Sequence, residues 1–229
     1  MILHYLPILV GITGTHRLPG TASPLDMTQY RSSQNPAVKR AGSTTVGNGG
    51  VEMLIRNDIA VNGGPVKTPD SLAGRACFQD VWLTSADAPP ELYRLGVVYG
   101  IAGQTDPETA EFWKEITQII KAGPKQWLIT GDVNVSLSGI EITAAAHHET
   151  HASRSYRKFF EDCGGVDAWE LDPDRSLRSW TSEKGEIRTI IDRSAASTLP
   201  GLFEIGVLNP QGEGKYKYPA VLSTDHRAR

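Results

Sequence analysis

The chain has 229 residues, 39% of them hydrophobic and 21% charged, with a formal net charge of −3. That length supports one substantial core and is too short for two ordinary domains with a linker, so a single domain over residues 1–229 is expected. The slight acidity excludes a strongly basic nucleic-acid binder, and no run approaches the eighteen apolar residues of a membrane helix. Cys77 and Cys163 are too few and too far apart for a disulfide scaffold, which points to a reducing, intracellular compartment, nuclear or cytoplasmic; a monomer is expected.

Residues 1–13 have an apolar centre, but they lack a positive leader and are interrupted by Pro7. A buried strand over residues 8–12 is expected there, not a signal peptide. Residues 26–48 are rich in Ser, Thr, Gln and Asn with almost no apolar periodicity, and read as a long flexible loop. Strand-like runs follow at residues 51–56, 78–84, 92–99, 126–130, 187–191, 202–208 and 219–222, several flanked by Gly, Pro or Asn. Over residues 78–83 the alternation sets Phe78, Asp80 and Trp82 against Gln79, Val81 and Leu83 and leaves the buried face open. Val97-Val98 and Trp127-Leu128-Ile129 are continuous apolar runs, as in central strands covered on both faces.

Two helices stand out. Asp106 is a good N-cap, Pro107 suits the first turn, Phe112, Ile116, Ile119 and Ile120 share a face, and Gly123-Pro124 stops the helix. The second spans residues 155–163, with Tyr156, Phe159, Phe160 and Cys163 on its apolar side and Gly164 as terminator. Residues 137–154 read as irregular. Many strands and few helices indicate an α+β layered domain.

The chemistry concentrates in two tetrapeptides that follow apolar runs, Gly131-Asp132-Val133-Asn134 and Ser223-Thr224-Asp225-His226. Two strands ending side by side would bring Asp132, Asn134, Asp225 and His226 to one rim. Two carboxylates, an amide and an imidazole there suit a divalent metal and an activated water attacking a phosphate. Each also has a plainer reading: a turn or helix cap for Asp132, an Asx turn for Asn134, a salt bridge to Arg188 or Arg193 for Asp192, and simple packing for Tyr99. His148-Glu149-Thr150-His151 is one residue short of the HExxH zinc motif, and a solvated loop is expected. Arg154, Arg157, Lys158, Arg175 and Arg178 could lend local positive charge, although a solvated helix face fits them better.

Taken together, these segments resemble the endonuclease/exonuclease/phosphatase superfamily, with its deoxyribonuclease-like fold. Gly131-Asp132-Val133-Asn134 is similar to its GDxN motif, Ser223-Thr224-Asp225-His226 to its closing S-x-DH, and Ile190-Ile191-Asp192 to its R-I-D-x-I strand. Val98-Tyr99 stands at its V-Y-x-P, Gly49-Gly50-Val51 at its GG-V-A, and Gly74-Arg75 at a "GR" pair. Gly165-Val166-Asp167-Ala168-Trp169, with Asp172-Pro173 and Trp180-Thr181, resembles a segment of retrotransposon endonucleases. The matches run in family order over nearly the whole chain.

The resemblance implies an α/β/β/α four-layer sandwich and Mg²⁺-dependent phosphodiester hydrolysis, with Mn²⁺ as a substitute and DNA as substrate. It implies a nicking endonuclease that leaves 5′-phosphate ends. Asp132 would activate water, and Asn134 would bond the scissile phosphate or that water. His226, held by Asp192, would steady a non-bridging oxygen, Tyr99 would contact phosphate, and Asp225 would hold the metal. The chain departs from the family in three places. Ile12-Thr13-Gly14-Thr15-His16 has Gly14 where the metal-binding Glu is usual, and Tyr99 is followed by Gly100-Ile101-Ala102. The family's first strand, with its Asn, has no counterpart, which implies a copy partial at both ends. Alternative readings are therefore an inactive pseudo-nuclease remnant and a phosphoesterase acting on small molecules.

Overall fold

The computed structural model describes residues 7–21, 28–39, 47–84, 89–101, 106–137, 150–168, 182–184, 187–189 and 192–197. In chain order the elements are β1 (Leu9–Thr13), β2 (Tyr30–Asn35), β3 (Val38–Lys39), β4 (Gly47–Asn48), β5 (Val51–Arg56) and β6 (Ala60–Val61). A 3₁₀ turn (Asp70–Leu72) leads into β7 (Ala76–Leu83) and β8 (Glu91–Val98), then α1 (Asp106–Lys121), β9 (Gln126–Asp132) and α2 (His151–Cys163). The short strands β10 (Gly165–Asp167), β11 (Ser182–Lys184) and β12 (Ile187–Thr189) precede β13 (Asp192–Ser197).

These strands build a six-stranded sheet, β10-β13-β9-β8-β7-β6, and a three-stranded sheet, β1-β5-β2, beside the small pairs β11-β12 and β3-β4. Within the large sheet only β8 and β9 run parallel, with α1 as their crossover; the remaining pairs are antiparallel. Side chains alternate between two cores. One side of the large sheet, with Phe78, Trp127, Ile129 and Ala195, packs under Phe112, Trp113 and Ile116 of α1 and Tyr156, Phe159 and Phe160 of α2. The other side, with Cys77, Val81, Leu95 and Val97, meets Leu9, Val51, Met53 and Ile55 of the small sheet. The result is helices on sheet on sheet, which gives the expected α+β layering. The open question over residues 78–83 is answered by coverage on both sides: Phe78 turns to the helices and Val81 to the small sheet. Arg94 ties the end of α1 to the sheet, pairing with Asp80 at 2.7 Å and donating to the Ile119 carbonyl.

Two expectations change. Residues 30–35 are not loop but a strand paired along the whole of β5, from Tyr30 opposite Arg56 to Asn35 opposite Val51. An edge strand draws its hydrogen bonds from backbone and can stay polar; here Ser32 and Gln34 also bond the buried Glu52 carboxylate at 2.7 and 3.0 Å. Helix α2 begins at His151, four residues before the expected start, because Thr150 and Ser153 form a capping box. Of the run expected at 187–191, residues 190 and 191 lie outside the described residues. Residues 187–189 pair with β11, and Asp192 opens the separate strand β13 beside β9. The expected strands at 202–208 and 219–222, with Asp225 and His226, lie outside the described residues, as do residues 147–149 of the histidine run.

Candidate active site

Asp132 closes β9 and stands directly opposite Asp192, the first residue of β13. Opposed residues of an antiparallel pair share a face, with Cβ atoms roughly 4.5–5.5 Å apart. The next pair along that face, Thr130 and Ser194, join hydroxyl to hydroxyl at 2.8 Å. A Cβ placed on Gly11 of β1 would lie 2.9 Å from the Thr130 methyl, so this is the face between the two sheets. Both carboxyl residues are buried, at 1% and 5% exposure. Two like charges in such a position repel, and a cation between them removes that cost.

The turn after β9 depends on Gly131. Its φ is 143°, and a Cβ there would come 2.0 Å from the Val98 carbonyl oxygen, so no other residue fits without moving β8. That approach lets Gly100 N–H donate to the Asp132 carbonyl at 2.7 Å. Asn134, itself at φ 54°, donates its N–H to Asp132 Oδ1 at 2.9 Å, and its Nδ2 donates to the Gly100 carbonyl at 2.9 Å. The side chain that forms an Asx turn is thus that of Asp132, as acceptor, while the Asn134 amide stitches the segment after β8 to the segment after β9.

Tyr99 lies beside this turn on the same face. Its N–H donates to the Arg75 carbonyl at 2.8 Å, and the Arg75 guanidinium sits over its ring, 4.9 Å from the centroid. Burial pushes the Arg75 guanidinium below its ordinary pKa, and the nearby Tyr99 and Asp132 pull it back up. At the end of β1, Thr13 reaches the same place: its methyl would be 3.1 Å from a Cβ on Gly131. Gly14 follows at φ 61°, so the residue that lacks a carboxylate borders this rim.

Arg193, one step along β13, turns the other way. Its Nε donates to Asp167 at 2.7 Å, with the pair at 1% and 0% exposure, and its guanidinium lies 6.0 Å from the Tyr156 ring. Of the two salt-bridge partners considered for Asp192, Arg193 is thus engaged with Asp167, and the side chain of Arg188 lies outside the described residues. The sequence shows no apolar run over residues 192–197 that would have marked this pair. Arg157 and Lys158 lie on the exposed face of α2, where Arg157 bonds the Leu137 carbonyl and Lys158 bonds Asp162. Among the described residues no three His, Cys, Asp or Glu side chains converge as a metal cage.

No protein-family model matches the chain, and no curated protein matches its sequence. Solved structures do resemble it. The AP endonuclease LMAP from Leishmania major superposes with a TM-score of 0.66 at 11% identity, over 86% of this chain and 72% of that one. The Xenopus laevis APE2 catalytic domain gives 0.66 at 12% identity, over 82% and 73%. The 3′ phosphatase NExo from Neisseria, bound to product DNA hairpin, gives 0.59 at 16% identity, over 83% and 76%. At these identities the likeness is one of fold: the chain has the DNase I-like architecture that those proteins share.

Proposed function

We propose that the chain is a metal-assisted phosphodiesterase acting on DNA, a nicking endonuclease of retrotransposon type. The observation that carries this reading is the opposed, buried pair Asp132 and Asp192 at the edge between the two sheets. Hard carboxylate oxygens gathered at one rim fit Mg²⁺ or Mn²⁺ by donor chemistry, and Asp225 is the carboxylate that would hold the ion. Bound there, the metal would supply polarisation of the phosphate and lessen the repulsion between the nearby carboxylates. Asp132 orients water and takes its proton, held in place by Asn134 N–H at Oδ1. The Asn134 side chain and Gly100 fix that geometry across the two strand ends. In this reading Asp192 would hold His226, which would steady the oxygen charge that grows on the phosphate. Tyr99, just past the end of β8, would contact phosphate with its hydroxyl. The fold likeness to nucleic-acid-processing proteins supports the substrate class.

Gly14 supports a second reading, a sound fold with a weakened metal site. Plasmid nicking separates the two. Supercoiled DNA is incubated in Mg²⁺ and in Mn²⁺ with the natural chain, Asp132→Ala and Gly14→Glu. Nicking that Asp132→Ala removes is the expected result. Nicking that survives Asp132→Ala would sink the assignment. Activity seen only with Gly14→Glu would establish the weakened site, notwithstanding the strain of about 1 kcal/mol that a left-handed Glu bears.

A further inference from the structure

We infer that Asn35 is a positioning residue for the proposed reaction and acts through Tyr99; the inference rests on the phosphodiesterase reading above and deepens it. Strand register decides where Asn35 points. Side chains alternate along β2, so Ser32 and Gln34 turn to the face that carries Glu52. Asn35 stands opposite Val51 and turns with it to the interior between the two sheets. There its amide meets the turn that leads into β7. Oδ1 accepts the Gly74 N–H at 2.8 Å, and Nδ2 donates to the Leu72 and Ala76 carbonyls at 3.1 and 2.8 Å. Both amide hydrogens and one lone pair thus close on three backbone groups that surround Arg75. The turn is sharp, with Gly74 at φ 69°, and the amide supplies partners that a ladder would supply within a strand.

The clamped turn holds Tyr99 from two sides. The Arg75 carbonyl accepts the Tyr99 N–H at 2.8 Å, and the Arg75 guanidinium lies over the Tyr99 ring, 4.9 Å from its centroid. Gly50 N–H, at the start of β5, grips the same turn by donating to the Gly74 carbonyl at 2.8 Å. Tyr99 in turn precedes Gly100, whose N–H bonds the Asp132 carbonyl and whose carbonyl takes the Asn134 amide. A shift of the turn therefore moves Tyr99 relative to Asp132, and a displacement of about 1 Å at a reacting centre costs about a hundredfold in rate. Among the described residues the Asn35 side chain bonds only the segment from Thr68 to Ala76, so its influence on the site passes through that segment. The polar strand β2 thus ends in the one side chain that ties the small sheet to the support of Tyr99.

A double-variant cycle tests this. Single-turnover nicking of plasmid at saturating protein is measured well below the melting temperature for the natural chain, Asn35→Asp, Tyr99→Phe and the double variant. Melting curves and the anisotropy of a labelled duplex check fold and binding. Asn35→Asp keeps the acceptor for Gly74 but sets a carboxylate against the Leu72 and Ala76 carbonyls. It should lower the rate about 10- to 100-fold with duplex affinity unchanged. In the Tyr99→Phe chain the same change should cost no more than about twofold, because no placed hydroxyl remains to be lost. Losses that multiply would make Asn35 merely structural and overturn the inference, as would an unchanged rate in Asn35→Asp or in Tyr99→Phe; the phosphodiesterase reading would stand. Should Asn35→Asp fail to fold, Asn35→Gln, which keeps the amide but displaces it, takes its place in the cycle with the same criteria. If only Gly14→Glu nicks, the cycle is run in that chain. If neither chain nicks in Mg²⁺ or Mn²⁺, the phosphodiesterase reading falls and the role of Asn35 with it.

Discussion

Replacing Arg193 by methionine leaves the Asp167 carboxylate, at 0% exposure, without the guanidinium that lies 2.7 Å away. Methionine fills much of the volume, so the loss is electrostatic more than steric. Tyr156 Oη reaches Asp167 only at 3.4 Å, a weak substitute for the ionic contact. Breaking one side of a buried ion pair costs about 3–5 kcal/mol, against a total stability of about 5–15 kcal/mol for a typical domain. For a domain of this size each kcal/mol moves the melting temperature by about 2–4 °C, so a fall of roughly 6–20 °C is expected in a calorimetric scan. The double variant Arg193→Met/Asp167→Leu removes both charges and should recover most of that fall, since an apolar pair of similar volume replaces an ion pair at little cost. Because Arg193 sits between Asp192 and Ser194 on β13, the single variant should also nick more slowly at temperatures where it stays folded. A melting temperature within about 2 °C of the natural chain, or a double variant weaker than Arg193→Met, would refute the reasoning.

Asp132→Asn should raise the melting temperature in EDTA, by the equivalent of about 1 kcal/mol, while removing nicking; a lower melting temperature would argue against repulsion between Asp132 and Asp192. Glu52 is pushed up by burial, but hydrogen bonds from Ser32, Arg17 and Gln34 and the Arg17 charge outweigh this and hold its pKa below the ordinary 4.5. Its folded form thus binds its proton at lower pH than the unfolded chain. The stability it contributes is complete above about pH 4.5 and disappears as pH falls through the depressed value, so Glu52→Gln should flatten the acid limb of a pH–stability curve. Burial raises the Cys77 and Cys163 thiols to about 12 and about 11. Both should resist iodoacetamide at pH 8 in the folded protein and react after denaturation; fast labelling of the native chain would contradict the packing.

Strand-like runs located β1, β5, β7, β8 and β9, and the continuous apolar stretches in β8 and β9 marked those two as covered on both faces, while the alternation over residues 78–83 left the burial of β7 open. The two helices were equally legible from their 3.6-residue periodicity, and the apolar faces anticipated for them are the ones that cover the large sheet. The polar strand β2 was not, since its place at a sheet edge asks nothing of its side chains and only pairing with β5 makes it a strand. For the site, Gly131-Asp132-Val133-Asn134 could be found in the sequence because a tight turn after a buried strand needs that glycine and those polar side chains. Sequence could not decide that Asp132 faces Asp192 or that Arg193 turns away to Asp167. Nor could it bring Arg75 over Tyr99 from 24 residues upstream. Those relations depend on strand register, where a slip of one residue reverses every side chain, and register is settled only when the sheets pack.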